Sequence, residues 1–402
     1  LILEAIENYP YEGLTRELLS LGMSWVVMNA GLEPDGEEMA DSLENALRSL
    51  GDRMKAHTSK MGRNDRSSYD NLFRAWFNRG APETYGEVFE LVIRETVELL
   101  RNGSLDPEES LRAFRTDRRG IYLGVEYNGE MALLPAIIKQ PEYYERQSTF
   151  MLPTMGQMAK IHLDPLWLSL MAVGFFTAFA GSIGGMHYLI TKPGIEGFWP
   201  YDVEDIVEKG ILPVTGAAIR GRVAFTTEEL YEMKLAMKLV EDNASIPEEV
   251  YPLTLHLHKK PDRQTKVYTE LKTVQLNLSG LNGYFRAYID RIGGAGIGGT
   301  PITIELKERG KTVRKYPLWA LVDVAEKELQ KNVSGDGEML AYIFVKDLYR
   351  AINSDNRKLI EDTIFRLFRQ GRGLLEGKGS GSYELRKVLR GFMWEEHLRV
   401  LV

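Results

Sequence analysis

The chain contains no cysteine. That excludes disulfide scaffolds, cysteine-ligated zinc, iron–sulfur clusters and thiol catalysis. An excess of positive charge is missing too. Fifty Lys plus Arg stand against 57 Asp plus Glu, a net charge of −7, so any contact with nucleic acid must come from local basic patches on an acidic body. Histidine is scarce, with six residues. What is present, 402 residues at 44% hydrophobic and 27% charged, excludes wholesale disorder and collagen and suffices for one large or two ordinary domains. Absent cysteine with abundant Glu, Lys and Arg fits an intracellular, cytoplasmic and thermophilic protein. Leu1 opens the chain without a methionine, so residues are expected before it; the opening segment has no basic stretch followed by an apolar run and a cleavage site.

Long apolar runs are equally rare. One stretch, Leu166 to Met186, has 21 residues without a formal charge, long enough to cross a bilayer. Asp164 and Pro165 make an ordinary helix start before it, and no Lys/Arg cluster sits at either end to orient a span. Thr177, Gly181 and Gly185 fall four apart, a small-residue stripe that serves a membrane dimer or a buried helix. The buried helix is the expectation, with no membrane partner.

The first 117 residues read as helices, among them Leu14–Met28, Glu37–Leu50, Ser68–Phe77 and Tyr85–Leu100, with Asp106-Pro107-Glu108-Glu109 starting another. From Gly120 the period changes. Ile121–Tyr127, Asn128-Gly129 and Glu130–Ile138 predict a hairpin, because Asn-Gly supplies the two positive φ angles of a type I′ turn. Ile302–Leu306 and Lys311–Tyr316 predict a second. Pro252–His258 and Thr265–Leu278 read as strands, though a helix also fits parts of them. After Pro317 four helical segments follow with short turns, which suggests a bundle. The expected fold is α+β, predominantly helical, with β-hairpins in a mixed body (1–316) and a C-terminal helical bundle (317–402).

Several motifs imitate chemistry. Gly294 to Gly299 spells G-x-G-x-x-G, but a strand rather than a helix follows, so the pyrophosphate site is missing. Gly373 to Ser380 misses the P-loop spacing and puts Gly379 where a hydroxyl should hold magnesium. Ala180-Gly181-Ser182-Ile183-Gly184 is one residue from a nucleophile elbow. A serine hydrolase using Ser182 is the enzyme alternative, with His256, His258 or His397 as base. The run nevertheless reads as continuous helix, where Ser182 is a small packing residue. His256 and His258, two apart on a possible strand, point the same way, but no nearby acid or third histidine completes a metal set. No catalytic residue, metal or cofactor is expected.

Basic clustering remains. Arg53 to Arg79 has seven Lys/Arg (Arg53, Lys55, Lys60, Arg63, Arg66, Arg74, Arg79) against Asp52, Asp65 and Asp70. Its centre, Thr58 to Ser68, reads as a polar loop between helices, with donors for phosphates and with Asn64 or an arginine to reach base edges. A second cluster holds Lys259, Lys260, Arg263 and Lys266; a third, Arg112, Arg115, Arg118 and Arg119. The fourth, Arg357 to Arg390, has nine basic residues against four acids and includes Arg372 and Lys378. Any one cluster is more simply a solvated, salt-bridged face. Four in an acidic protein point to a polyanion-binding site.

The opening Leu1-Ile2-Leu3-Glu4-Ala5-Ile6-Glu7-Asn8-Tyr9-Pro10-Tyr11-Glu12, the Phe175–Leu189 segment with its Gly-Ser-Ile-Gly-Gly, and the basic Thr254–Thr269 stretch resemble the large subunit of archaeal type I-A CRISPR surveillance (Cascade) complexes. The resemblance implies a non-enzymatic DNA-reading subunit that works with a guide RNA, target DNA, other Cascade subunits and a helicase–nuclease in antiviral defence. Such subunits contact the protospacer-adjacent motif through short loops while guide pairing reads the rest. On charge and loop character, the expected nucleic-acid-binding residues are Lys60, Arg63, Asn64, Arg66, Lys259, Lys260, Arg263, Arg372 and Lys378. A plain scaffold without nucleic-acid binding is the other alternative.

Overall fold

The computed structural model describes residues 1–117, 120–138, 160–260, 268–295, 301–308, 311–330, 339–376, 383–393 and 395–401. They form an α+β protein, mostly helical, divided into two compact units: Leu1–Gly216 with Pro252–Gln275, and Ala217–Tyr251 with Leu276–Val402.

The first unit begins with α1 (Ile2–Asn8), α2 (Leu14–Ala30), α3 (Gly36–Ala56), α4 (Arg63–Phe77), α5 (Tyr85–Arg101) and α6 (Pro107–Arg112). Reciprocal caps start two of them. Asp35 accepts from the Glu37 and Glu38 N–H groups while Glu38 accepts from the Asp35 N–H, and Thr84 with Glu87 repeats the arrangement for α5. One face of α3 (Met39, Leu43, Leu50) and one of α5 (Val88, Val92, Ile93) are buried, and the two helices pack together.

The centre of this unit is α7 (Pro165–Ala178). Asp164 caps it by accepting from the Trp167 N–H at 2.9 Å, and all of its residues are buried. It packs on α2, α3 and α5. A helix apolar on every side belongs in a core, and here its approach to α2 depends on glycine. A Cβ on Gly174 would lie 2.7 Å from the carbonyl carbon of Leu18 and closer still to its oxygen; one on Gly22 would meet Leu170 in the same way. The apolar run is therefore not one helix through Met186. It stops at Ala178, and β5 (Phe179–Ile183) and β6 (Met186–Thr191) follow. Fourteen residues span about 21 Å, short of a bilayer's ~30 Å core. Among the described residues no helix is long and apolar enough to cross a membrane. Arg53, a member of the first basic cluster in sequence, closes the end of α7: it donates to the carbonyls of Phe176 and Thr177 and, at 2.7 Å, to Thr215 Oγ1.

Two small sheets complete the unit. In the first, β1 (Phe114–Asp117), β2 (Gly120–Leu123), β3 (Ala132–Leu133) and β4 (Lys160–Leu163) lie in the order β1-β2-β4-β3. Asn128 and Gly129 do have positive φ angles of 51° and 76°, and Tyr127 and Glu130 exchange backbone hydrogen bonds. The expected hairpin is nevertheless corrected. β4 comes from further along the chain, inserts between β2 and β3, and pairs parallel to β2 with Ile121 opposite Ile161. The second sheet, β5-β6-β7-β8, adds the expected strands β7 (Leu253–Lys259) and β8 (Thr269–Leu276).

The chain passes to the second unit within α8 (Leu212–Gly221). That unit holds α9 (Glu228–Glu241), α10 (Ser279–Ile292), the expected hairpin β9 (Ile304–Glu308) and β10 (Lys311–Lys315), then α11 (Pro317–Gln330), α12 (Leu340–Asn353), α13 (Arg357–Leu375), α14 (Tyr383–Phe392) and α15 (Glu395–Leu401). Its buried aromatic centre joins Phe285, Tyr288, Trp319, Phe392 and His397. His397 Nδ1 donates to the Phe392 carbonyl at 2.7 Å, so Nε2 accepts from the Tyr288 hydroxyl, also at 2.7 Å. This division differs from a single cut near residue 316, because α9, α10 and the β9–β10 hairpin pack against the C-terminal helices.

Candidate nucleic-acid interface

The Lys60–Arg66 region is only partly the loop expected from sequence. Arg63, Asn64 and Arg66 stand in the first turns of α4, whose N-cap, Gly62, supplies no side-chain cap. The N–H groups at this end therefore favour an anion. The acid of that turn faces inward: Asp65 accepts from the Tyr85 hydroxyl at 2.7 Å and from the Ala136 N–H at 2.8 Å. Arg63, Asn64 and Arg66 are left exposed. Lys60 and Arg66 share one surface carboxylate, Glu83, at 2.9 and 3.7 Å, and these two cations hold the Glu83 pKa below the usual range. Arg63 has no ion pair among the described residues. Lys60 and Arg66 thus share Glu83, and Arg63 stands exposed beside them in the first turn of α4.

Lys259 ends β7 exposed, and Lys260 beside it is half-buried, with a pKa lowered by that burial. The structure draws these lysines toward the first cluster. Ser59 Oγ, next to Lys60, lies 3.4 Å from His187 Nε2; His187 is paired across the strands with His258; and burial, aided by the Lys260 charge, lowers the pKa of both His57 and His187. Residues 57–60 and the end of β7 therefore occupy one side of the first unit. Arg263 and Lys378 lie outside the described residues, as do Lys266, Arg118, Arg119, Gly296–Gly299 and the end of the Gly373–Ser380 stretch.

Other basic side chains are already engaged. Arg74 pairs with Asp70, Arg79 with Glu95, Arg112 with Glu4 and Glu108, and Arg115 with Glu126 while covering the Tyr122 ring. Arg372, in the second unit, pairs with Glu376 at 2.8 Å. Exposed pairs of this kind are worth little and open readily to a phosphate. Arg372 also has company that sequence reading missed. Phe365, 65% exposed, and Phe368, 44% exposed, share one helical face of α13 with Arg369 and Arg372. The phenylalanines line a groove of about 410 Å³ with Ile364 and Leu398. Their exposure was not legible, because apolar residues at helical spacing ordinarily mark a core face.

Two further placements bear on chemistry. Ser182 is exposed in β5, which follows a helix. A nucleophile elbow needs the reverse, a turn from strand into helix, and the expected mid-helix position of Ser182 is corrected as well. His256 and His258 do gain an acid: Glu270 of β8 brings its carboxylate to both, with the three donor atoms within 4.8 Å of one another. The expectation that no acid lies near the two histidines is corrected, since Glu270 reaches them through the pairing of β7 with β8.

The class defined by these features is a two-unit, mostly helical α+β protein with exposed cations around uncapped and aromatic helix surfaces. Comparison with protein-family models narrows that class: the model for CRISPR-associated protein (Cas_Csx9) matches residues 23–402, and the chain belongs to this family. It is thus a CRISPR-associated protein, with a role in CRISPR defence among other components of such a system. No curated protein and no solved structure matches the chain.

Proposed function

We propose that the chain is a non-catalytic, nucleic-acid-binding large subunit of a type I-A Cascade effector complex, contacting the protospacer-adjacent motif and supporting recruitment of the helicase–nuclease. The observation that carries this reading is the first turn of α4. Its acid is turned inward while Arg63, Asn64 and Arg66 face solvent beside uncapped N–H groups. Guanidinium groups and N–H donors suit phosphates, and arginine and asparagine suit base edges. Lys259 and Lys260, on the same side of the first unit, extend the cationic track. Phe365 and Phe368 beside Arg369 and Arg372 suit a single strand, where bases stack on aromatic rings and cations follow the backbone.

Photocrosslinking of a forked target DNA to the chain within its guide-RNA assembly tests this. Crosslinked peptides covering residues 57–66 are expected, with a second set from α13. Crosslinks confined to the neighbouring subunits would remove the reading and leave a scaffold.

A further inference from the structure

The buried end of the second sheet carries a chemistry that the nucleic-acid reading does not use. His256 and His258, at i and i+2 on β7, present their rings to one face, and both are buried, at 5% and 2% exposure. Glu270 of β8 places Oε1 3.0 Å from His256 Nδ1 and 3.8 Å from His258 Nε2. Around a tetrahedral ion with bonds of about 2.0–2.1 Å, donor atoms sit roughly 3.3 Å apart. The two observed separations bracket that spacing.

Neighbouring groups position the donor atoms of this trio. On the far side of its ring, His256 Nε2 lies 3.3 Å from Glu17 Oε2 and 3.1 Å from Thr191 Oγ1, and the Thr191 hydroxyl donates to the same Glu17 oxygen at 2.6 Å. Without a metal ion both ring nitrogens face carboxylates, Nε2 toward Glu17 and Nδ1 toward Glu270; an ion bound between His256, His258 and Glu270 would take the place of the Nδ1 proton, while Glu17 keeps the proton on Nε2. Such outer carboxylates fix the tautomer of metal-bound histidines. The Thr273 hydroxyl donates to Glu270 Oε1 at 2.8 Å and fixes the carboxylate in turn. Four elements contribute: α2 through Glu17, β6 through Thr191, β7 through both histidines, and β8 through Glu270.

We propose that His256, His258 and Glu270 bind one divalent transition-metal ion of the zinc class, with Glu17 as a positioning residue. Two imidazoles and one carboxylate suit zinc, cobalt or nickel and are poor donors for magnesium. The ion joins β7 to β8 and, through Glu17, to α2. It thereby holds the strand that ends in Lys259. The proposal is independent of nucleic-acid binding and does not require it.

The test uses the full chain, stripped with a chelator and titrated separately with zinc chloride, cobalt chloride and magnesium chloride. One zinc per chain is expected by calorimetry, with a rise in Tm, and cobalt is expected to give the intense visible absorption of a tetrahedral site. Magnesium is expected to do neither. Glu270→Gln, nearly isosteric, and His258→Ala are expected to abolish stoichiometric binding. Glu17→Gln should keep the stoichiometry and weaken affinity about 10–100-fold. Circular dichroism of Glu270→Gln matching the unsubstituted chain guards against a folding defect. Absence of zinc binding in the unsubstituted chain, or binding of equal affinity in Glu270→Gln, would overturn the proposal and leave the trio a buried ion pair.

Discussion

Replacing Gly174 by alanine places a methyl group where α7 crosses α2. The new Cβ would stand 2.7 Å from the Leu18 carbonyl carbon and 3.0 Å from the Gly22 nitrogen, and it would overlap the Leu18 oxygen. These are backbone atoms of a buried helix, so no side chain can swing aside; the two helices must separate along their packed length. Overpacking of a well-filled core costs about 1–3 kcal/mol, and the upper end applies where backbone must shift. Against this, Gly→Ala in a helix recovers about 0.8–1.0 kcal/mol of propensity. The net expectation is a loss of about 2 kcal/mol. Gly51 supplies the control, since it lies in α3 and a Cβ added there would have nothing within 4 Å. There the propensity acts alone, and Gly51→Ala is expected to stabilise by up to about 1 kcal/mol. Denaturant midpoints of the first unit's transition give both signs in one assay. Equal stability of Gly174→Ala and the unsubstituted chain would refute the close crossing.

Burial lowers the His397 pKa to about 4, so the unfolded chain, with its histidine near 6.5, takes up the proton first. The second unit should therefore lose stability as pH falls from about 6.5 to 4, by up to about 3 kcal/mol, read as denaturant midpoints across that range; a flat profile would contradict the neutral, doubly bonded imidazole. Asp65→Ala leaves the Tyr85 hydroxyl and the Ala136 N–H without their acceptor, and a loss of about 1–3 kcal/mol is expected in thermal unfolding. Phe365→Ala and Phe368→Ala should leave Tm nearly unchanged and weaken single-strand binding by about 1–3 kcal/mol for each base that loses its stacking partner. Unchanged anisotropy titrations would remove the aromatic platform.

Local signals were legible where local physics decides. The helices α3 and α5 were readable from their apolar spacing, and the β9–β10 hairpin from its turn and flanking strands. Long-range pairing was not. Asn128-Gly129 makes its turn, yet β4 arrives from another part of the chain and separates β2 from β3. The apolar run from Leu166 continues through a buried helix into a strand whose first three residues are buried too, and hydrophobicity alone cannot mark the change. Arg53 looked like one more cation of a basic cluster because sequence does not show the carbonyls waiting at the end of α7. Glu270 was passed over as a partner for His256 and His258 because its nearness depends on how β8 lies against β7. The Lys60, Arg63, Asn64 and Arg66 group was readable as a cluster, but the inward turn of Asp65, which leaves it cationic, required Tyr85 and Ala136 to be in place.

The most direct measurement is the salt dependence of duplex DNA affinity for the assembled complex, with the chain unsubstituted and with Lys60, Arg63 and Arg66 all changed to alanine. Each phosphate contact contributes about 0.9 to the slope of log affinity against log salt. A slope shallower by about two to three in the triple variant is the predicted result. The same slope in both proteins would contradict the account.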